Sequence, residues 1–158
     1  MLFRSANTIG RAVLNGQNAN QSFITGASSP RGIAVNGSHI YWANNTSNTI
    51  GRADLNGQNA NQSFITGAFF PNGVAVDGSH IYWVNNGSDT IGRADLDGQN
   101  ANQSFITGSA AGLAVDSSYV YWTDRDIGTI GRADLDGQNV NLNFITGGSG
   151  FGVAVGPQ

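Results

Sequence analysis

The sequence predicts an all-β protein, a β-propeller of about four four-stranded antiparallel blades. Two observations carry that reading. A unit of about 41 residues recurs along the chain, with several strand signals in each copy. Turn-forming residues are in excess, with 23 Gly and 19 Asn, while Lys and Glu, the usual helix formers of solvated surfaces, are absent. No 3.6-residue apolar period persists anywhere.

The repeat is anchored on Thr-Ile-Gly-Arg-Ala, whose Ile falls at positions 9, 50, 91 and 130, spacings of 41, 41 and 39. Each unit reads as four strands. The first is Gly73-Val74-Ala75-Val76, short and apolar on both faces, as a strand packed between sheets should be. Asp77-Gly78, or Asn36-Gly37, is expected to supply the positive φ angles of a tight hairpin. The second strand, His80-Ile81-Tyr82-Trp83-Val84, is β-branched and aromatic. The third, Thr90 to Leu96, sets Ile, Arg and Asp on one face and leaves Gly and Ala as a flat opposite face. Asp97-Gly98 then turns the chain into a last strand around Phe105-Ile106-Thr107. An immunoglobulin-like sandwich would not repeat its sequence this closely, and a β-helix coil would be shorter.

The 158 residues form a single domain whose copies run approximately 1–32, 33–73, 74–112 and 113–151, with 152–158 as a final first strand. Aligning Ile9 with Ile50 sets Met1 opposite Trp42 and leaves the first copy only a stub of second strand around Leu2-Phe3. The expected inventory is four first strands, three full second strands, four third and four fourth. Two arrangements follow. The chain closes as a four-bladed ring with Met1 to Phe3 sealing the seam, or it is a fragment of a larger propeller. A homodimer would complete such a propeller with eight blades.

Composition also bounds the chemistry. A net charge of −3 and widely spaced arginines give no footprint for nucleic acid, and no apolar run reaches membrane-spanning length. Met1 to Ser5 has no long apolar segment, so no signal peptide is read there; an extracellular or cell-surface bacterial setting is favoured. With no Cys, Lys or Glu and no Gly-x-Ser-x-Gly elbow, the chain is read as non-enzymatic, without cofactor, metal or catalytic residues. His39 and His80 occupy equivalent places on successive blades, too far apart to share a metal, and read as strand-start surface residues. Asp95-Leu96-Asp97-Gly98 lacks the rest of a calcium-loop ligand set, so its acids read as turn residues. Arg52/Asp54, Arg93/Asp95 and Arg132/Asp134 are expected to form hydrogen-bonded rows.

Tyr121-Trp122-Thr123-Asp124, followed by Ile130, Arg132 and Leu135-Asp136-Gly137, resembles the YWTD repeat of the low-density lipoprotein receptor family. Pro71 and Gly73-Val74-Ala75-Val76-Asp77 match further positions of that repeat, although two copies read Tyr-Trp-Ala-Asn and Tyr-Trp-Val-Asn. The resemblance implies a propeller that binds proteins; receptor propellers of this type have six blades, and this chain carries material for four. The Ile-Gly-Arg and Gly-Val-Ala-Val segments are also similar to the repeats of virginiamycin B lyase, which implies the alternative of a lyase-type fragment. A purely structural array is a third reading.

A meander blade sends its loops alternately to two rims. Loops after the first and third strands are nearly constant here, whereas those after the second and fourth strands vary. Scaffold loops repeat because every blade solves one packing problem, and a ligand site has no reason to be fourfold. The variable rim is therefore the expected binding face, for a protein, peptide or carbohydrate, against the alternative of drift in unconstrained loops. Its candidates are Ser28, Ser29, Arg31, Asn45, Phe69, Phe70, Asn72, Asn86, Asp124, Arg125, Asp126 and Phe151. Phe69 and Phe70 read as partner anchors, or for one of them as a plug over the central channel. Arg31 and Arg125 suit an anion or carboxylate, with an ion pair to Asp124 or Asp126 as the alternative for Arg125.

Overall fold

Large and small residues are matched across the strands, and that matching builds the sheets. Trp83 lies opposite Gly92, Tyr82 opposite Arg93 and Val84 opposite Ile91, and the same pairs recur at Trp42/Gly51 and Trp122/Gly131. The computed structural model describes residues 1–124, 126–147 and 150–156, with Ser5 described by its backbone only. Arg125, Gly148 and Ser149 lie outside them.

The described residues form fifteen strands in four antiparallel sheets, each following chain order, and no helix. The first sheet holds β1 (Leu2–Ser5), β2 (Thr8–Arg11) and β3 (Asn20–Thr25). The second holds β4 (Pro30–Val35), β5 (His39–Asn44), β6 (Thr49–Asp54) and β7 (Asn61–Thr66). The third holds β8 (Pro71–Val76), β9 (His80–Asn85), β10 (Thr90–Asp95) and β11 (Asn102–Thr107). The fourth holds β12 (Leu113–Val115), β13 (Tyr119–Asp124), β14 (Thr129–Asp134) and β15 (Asn141–Thr146). The first strands β4, β8 and β12 pack on one another at the centre. These sheets are propeller blades, and they do not close into a ring.

The inventory differs from expectation at both ends of the repeat array. Residues 152–155 form no strand, because no second strand lies beside them to complete a ladder. The N-terminal stub is a full four-residue strand instead. Its turn spans only Ala6 and Asn7, against four residues between Asn44 and Thr49, so the register moves by two and Phe3, not Met1, takes the place of Trp42.

Packing between blades follows one scheme. Tyr41, Ala43, Ile50 and Ile65 of the second blade meet Val74, Ile81, Trp83 and Ala94 of the third. Tyr82, Val84, Ile91 and Ile106 then meet Val120, Trp122 and Ala133 of the fourth. The Trp ring folds over the glycine of its own sheet, so the expected flat Gly/Ala face is in fact covered by an indole. Trp42 and Trp83 are fully buried, and each indole N–H donates to Gln62 or Gln103 at 3.0 Å. The same glutamines donate to the Thr25 and Thr66 carbonyls of the preceding blade, at 2.7 and 2.9 Å, clasping neighbouring blades. In the fourth blade Leu142 replaces this glutamine.

Two turn expectations are corrected. Asn36-Gly37 and Asp77-Gly78 do not adopt positive φ. The Asn36, Asp77 and Asp116 side chains instead each accept two backbone N–H bonds, from residues two and three positions on, and so hold the hairpin without a left-handed residue. Asp97-Gly98 does use one, with Gly98 at φ +86°. The Arg/Asp rows also dissolve. Arg52 and Arg93 stack 4.1 Å from the centroids of Phe64 and Phe105, while Asp54 and Asp95 accept from Asn59 and Asn100 at 2.7 Å.

One prediction arises from these turns. Burial raises the Asp116 carboxyl, but the N–H groups of Ser118 and Tyr119, the Tyr121 hydroxyl and Arg132 outweigh it and hold it below the usual carboxylate range. A lowered folded-state pKa stabilises above the unfolded value and is lost as pH falls through the folded one. Asn36 shows that an amide makes the same two backbone bonds. Asp116→Asn is therefore expected to remove part of the acid sensitivity below about pH 4 and to change neutral stability by less than about 1 kcal/mol. Urea titrations of both proteins between neutral pH and pH 3 check this; parallel losses of stability would refute it.

Candidate functional site

Backbone hydrogen bonds knit the two variable loop classes into one rim. The Asn45 and Thr46 N–H groups donate to the Ser29 and Ser28 carbonyls, and the Gly87 N–H donates to the Phe69 carbonyl at 3.1 Å. Beneath them, Asn44 and Asn85 are buried at the ends of β5 and β9. Their Oδ1 atoms accept from the N–H groups of Ser28 and Phe69, at 2.9 and 3.0 Å. Their Nδ2 groups donate to the Gln62 and Gln103 carbonyls, at 2.9 Å each. Each buried amide thus ties a second strand, a fourth strand and a rim loop together.

The tips of the Ser28 and Phe69 loops are held in an unfavourable conformation. Ser29 and Phe70, at equivalent positions, both sit at φ +48°. Their N–H groups donate to Asn7 Oδ1 at 3.3 Å and Asn48 Oδ1 at 2.9 Å. A bulky residue in the left-handed region costs on the order of 1–3 kcal/mol and persists only where its surroundings impose it. The Phe69 and Phe70 rings lie 5.0 Å apart, 45% and 47% exposed. Phe69 rests over Gly87, and the Phe70 ring also touches that position.

Six of the sequence candidates surround one cavity. Arg31, Asn45, Phe70, Asn72, Asn86 and Phe151 line a space of about 390 Å³. Asn45 Nδ2 is braced on the Pro71 carbonyl at 3.1 Å. An adjoining central cavity of about 380 Å³ shares Arg31, Asn72 and Phe151 and is floored by the first-strand glycines Gly32, Gly73 and Gly112. Ser29 and Arg31 line a third space of about 480 Å³. Ser28 stands half-buried at the rim with its N–H engaged.

The other candidates lie elsewhere in the fourth blade. Asp124 is buried, and its Oδ1 accepts from the Asp126 N–H at 3.0 Å. Asp126 in turn accepts from the Ser109 hydroxyl at 3.0 Å. Arg125 falls outside the described residues. His39 and His80 are half-buried on separate blades, 3.8 Å from Asp54 and Asp95 respectively. Burial and the bond from its hydroxyl to Asp77 push the neighbouring Tyr82 phenol well above its ordinary range.

One residue escaped sequence reasoning. Arg4, on β1, joins Arg31 in two of the three cavities, and neither guanidinium forms an ion pair among the described residues. Setting Met1 opposite Trp42 places Arg4 opposite the rim candidate Asn45, a signal that the poor match of residues 1–6 to the repeat conceals.

Both resemblances carried by the sequence recur among solved structures. A chain of a nidogen/laminin complex matches 89% of this chain at 27% identity with a TM-score of 0.80. A catalytically inactive virginiamycin B lyase from Staphylococcus aureus, solved with quinupristin, matches 94% at 19% identity with a TM-score of 0.70. The computationally designed Ika4 protein matches 78% at 17% identity, with a TM-score of 0.54 and 79% of its own length covered. The chain spans 59% of the nidogen/laminin chain and 53% of the lyase. No protein-family model and no curated protein sequence matches it.

Proposed function

We propose that this protein is a propeller binding module whose variable rim takes a protein or peptide segment. The observation that carries the reading is the cavity bounded by Arg31, Asn45, Phe70, Asn72, Asn86 and Phe151, all six among the twelve candidates drawn from the variable rim. An exposed aromatic pair beside a guanidinium and several amides suits an extended peptide that offers an apolar side chain and a carboxylate. Amides reading the peptide backbone would supply the remaining bonds. The nidogen/laminin relative, itself part of a protein–protein complex, supports a protein partner.

Peptide and glycan arrays probed with the labelled protein test the class of ligand. Acidic peptides with an apolar residue are the expected hits. Phe70→Ala is expected to weaken such a hit by about thirtyfold, an anchor loss of about 2 kcal/mol. Binding confined to glycans, or peptide binding indifferent to Phe70→Ala and Arg31→Ala, would overturn the reading.

A further inference from the structure

Every junction between blades sets a phenylalanine of one against a turn glycine of the next, and further bonds join it at one or two of the three. Phe64 and Phe105 lie against the turn glycines Gly98 and Gly137 of the next blade. The Thr25 and Thr66 carbonyls accept from the next blade's glutamine, and Arg93 donates to the Leu135 carbonyl at 2.9 Å. The chain carries both halves of one more such junction, and they do not meet. On the fourth blade Phe144 and Ile145 are 38% and 48% exposed, whereas Ile65 and Ile106, the counterparts of Ile145, are 3% and 2% exposed. On the first blade Leu14, the counterpart of Leu135, is 91% exposed, and nothing lies within 4 Å of where a Cβ on Gly16 would stand.

The segment after β15 points the same way. Gly112 abuts Phe151 and Gly152 as Gly32 abuts Asn72 and Gly73, so residues 151–152 already occupy the first-strand place of a following blade. Residues 152–155 repeat the Gly-Val-Ala-Val of residues 73–76. A first strand is the element the sheet β1-β2-β3 does not contain.

We propose that two copies of this chain join head to tail, the fourth blade of each docking on the first blade of the other. Residues 152–155 of one copy complete the three-stranded sheet of its partner. The register follows from Val74 opposite Trp83, and sets Val153 opposite Phe3. Phe144 covers Gly16, Ile145 is buried beneath the new blade, and Arg132 reaches the Leu14 carbonyl. Each junction joins two different faces, and the two-fold axis relating the copies forms both junctions at once, which removes the unpaired edges of both. The junction uses blade faces and leaves the rim loops untouched, so it stands independently of the binding reading.

Light scattering on the 158-residue chain at micromolar concentration is expected to give twice the 16.4 kDa chain mass. Leu14→Asp and Ile145→Asp, both at exposed positions, are each expected to give the single-chain mass with an unchanged circular dichroism spectrum. An equimolar mixture of the two variants retains one intact junction and is expected to recover the two-chain mass. In this cysteine-free chain, Phe3→Cys/Val153→Cys adds a second readout, an interchain disulfide under mild oxidation. A single-chain parent, a mass above two chains, a dimer kept by both Asp variants, or an intrachain disulfide would overturn the proposal.

Discussion

Gly92→Val is expected to destabilise the protein by about 3 kcal/mol or more. A Cβ at Gly92 would collide with the Trp83 indole, whose ring is fully buried and hydrogen-bonded to Gln103. The ring cannot retreat, because its other face packs within the junction to the second blade. Displacing it would strand its N–H and break the Gln103 clasp to Thr66 at the same time. Gly10 offers an internal comparison. It is covered by Phe3, which has no polar atom to strand and sits half-buried in a three-stranded sheet. Gly10→Val is therefore expected to cost less than Gly92→Val. Urea midpoints of the two variants check the order, and equal losses would refute the account.

The second large effect is expected at Asn85. Its side chain accepts from the Phe69 N–H and donates to the Gln103 carbonyl and Thr90, all at a site with no solvent exposure. Asn85→Ala leaves the Phe69 N–H without its acceptor, at about 1–3 kcal/mol, while the Gln103 carbonyl keeps the Thr90 hydroxyl as a donor at 2.8 Å. A loss of about 1–3 kcal/mol is expected, with the Phe69 loop loosened in addition. Asn85→Asp keeps the acceptor for Phe69, as Asp124 does for its own loop, but cannot donate to Gln103, and an intermediate loss is expected. Hydrogen exchange at the Phe69 amide separates the two consequences. Fast exchange in Asn85→Ala and retained protection in Asn85→Asp is the expected pattern, and identical exchange in both would refute it.

The fold was legible because the repeat states its own solution four times. Position-by-position agreement among the copies located the strands, the blade order and the rim that varies. What stayed hidden depended on neighbours rather than on the repeat. The two-residue turn at Ala6-Asn7 shifts the first strand, and no copy-to-copy alignment registers a loop that is simply shorter. Arg4 reaches the rim cavities from the strand place that Ala43 holds in the second blade, opposite Ile9. The arginines share a strand face with aspartates, yet aromatic rings and the asparagines of the next turn compete for those groups and win. At the rim, variability brought six residues to one cavity, while Asp124 varied for a different reason, being a buried acceptor in its own loop rather than a surface group.

The buried amides have a consequence for how this protein changes. Asn44 holds Ser28 and Asn85 holds Phe69 by one and the same bond, and in both cases the scaffold grips the main-chain N–H and ignores the side chain. That bond accepts serine and phenylalanine alike, though Phe69 also lies over the bare Gly87 where the second blade carries Thr46. Recognition and stability are written on separate atoms of the same residues. A rim of this kind can be rewritten one loop pair at a time, a new side chain asking only the facing loop position to make room.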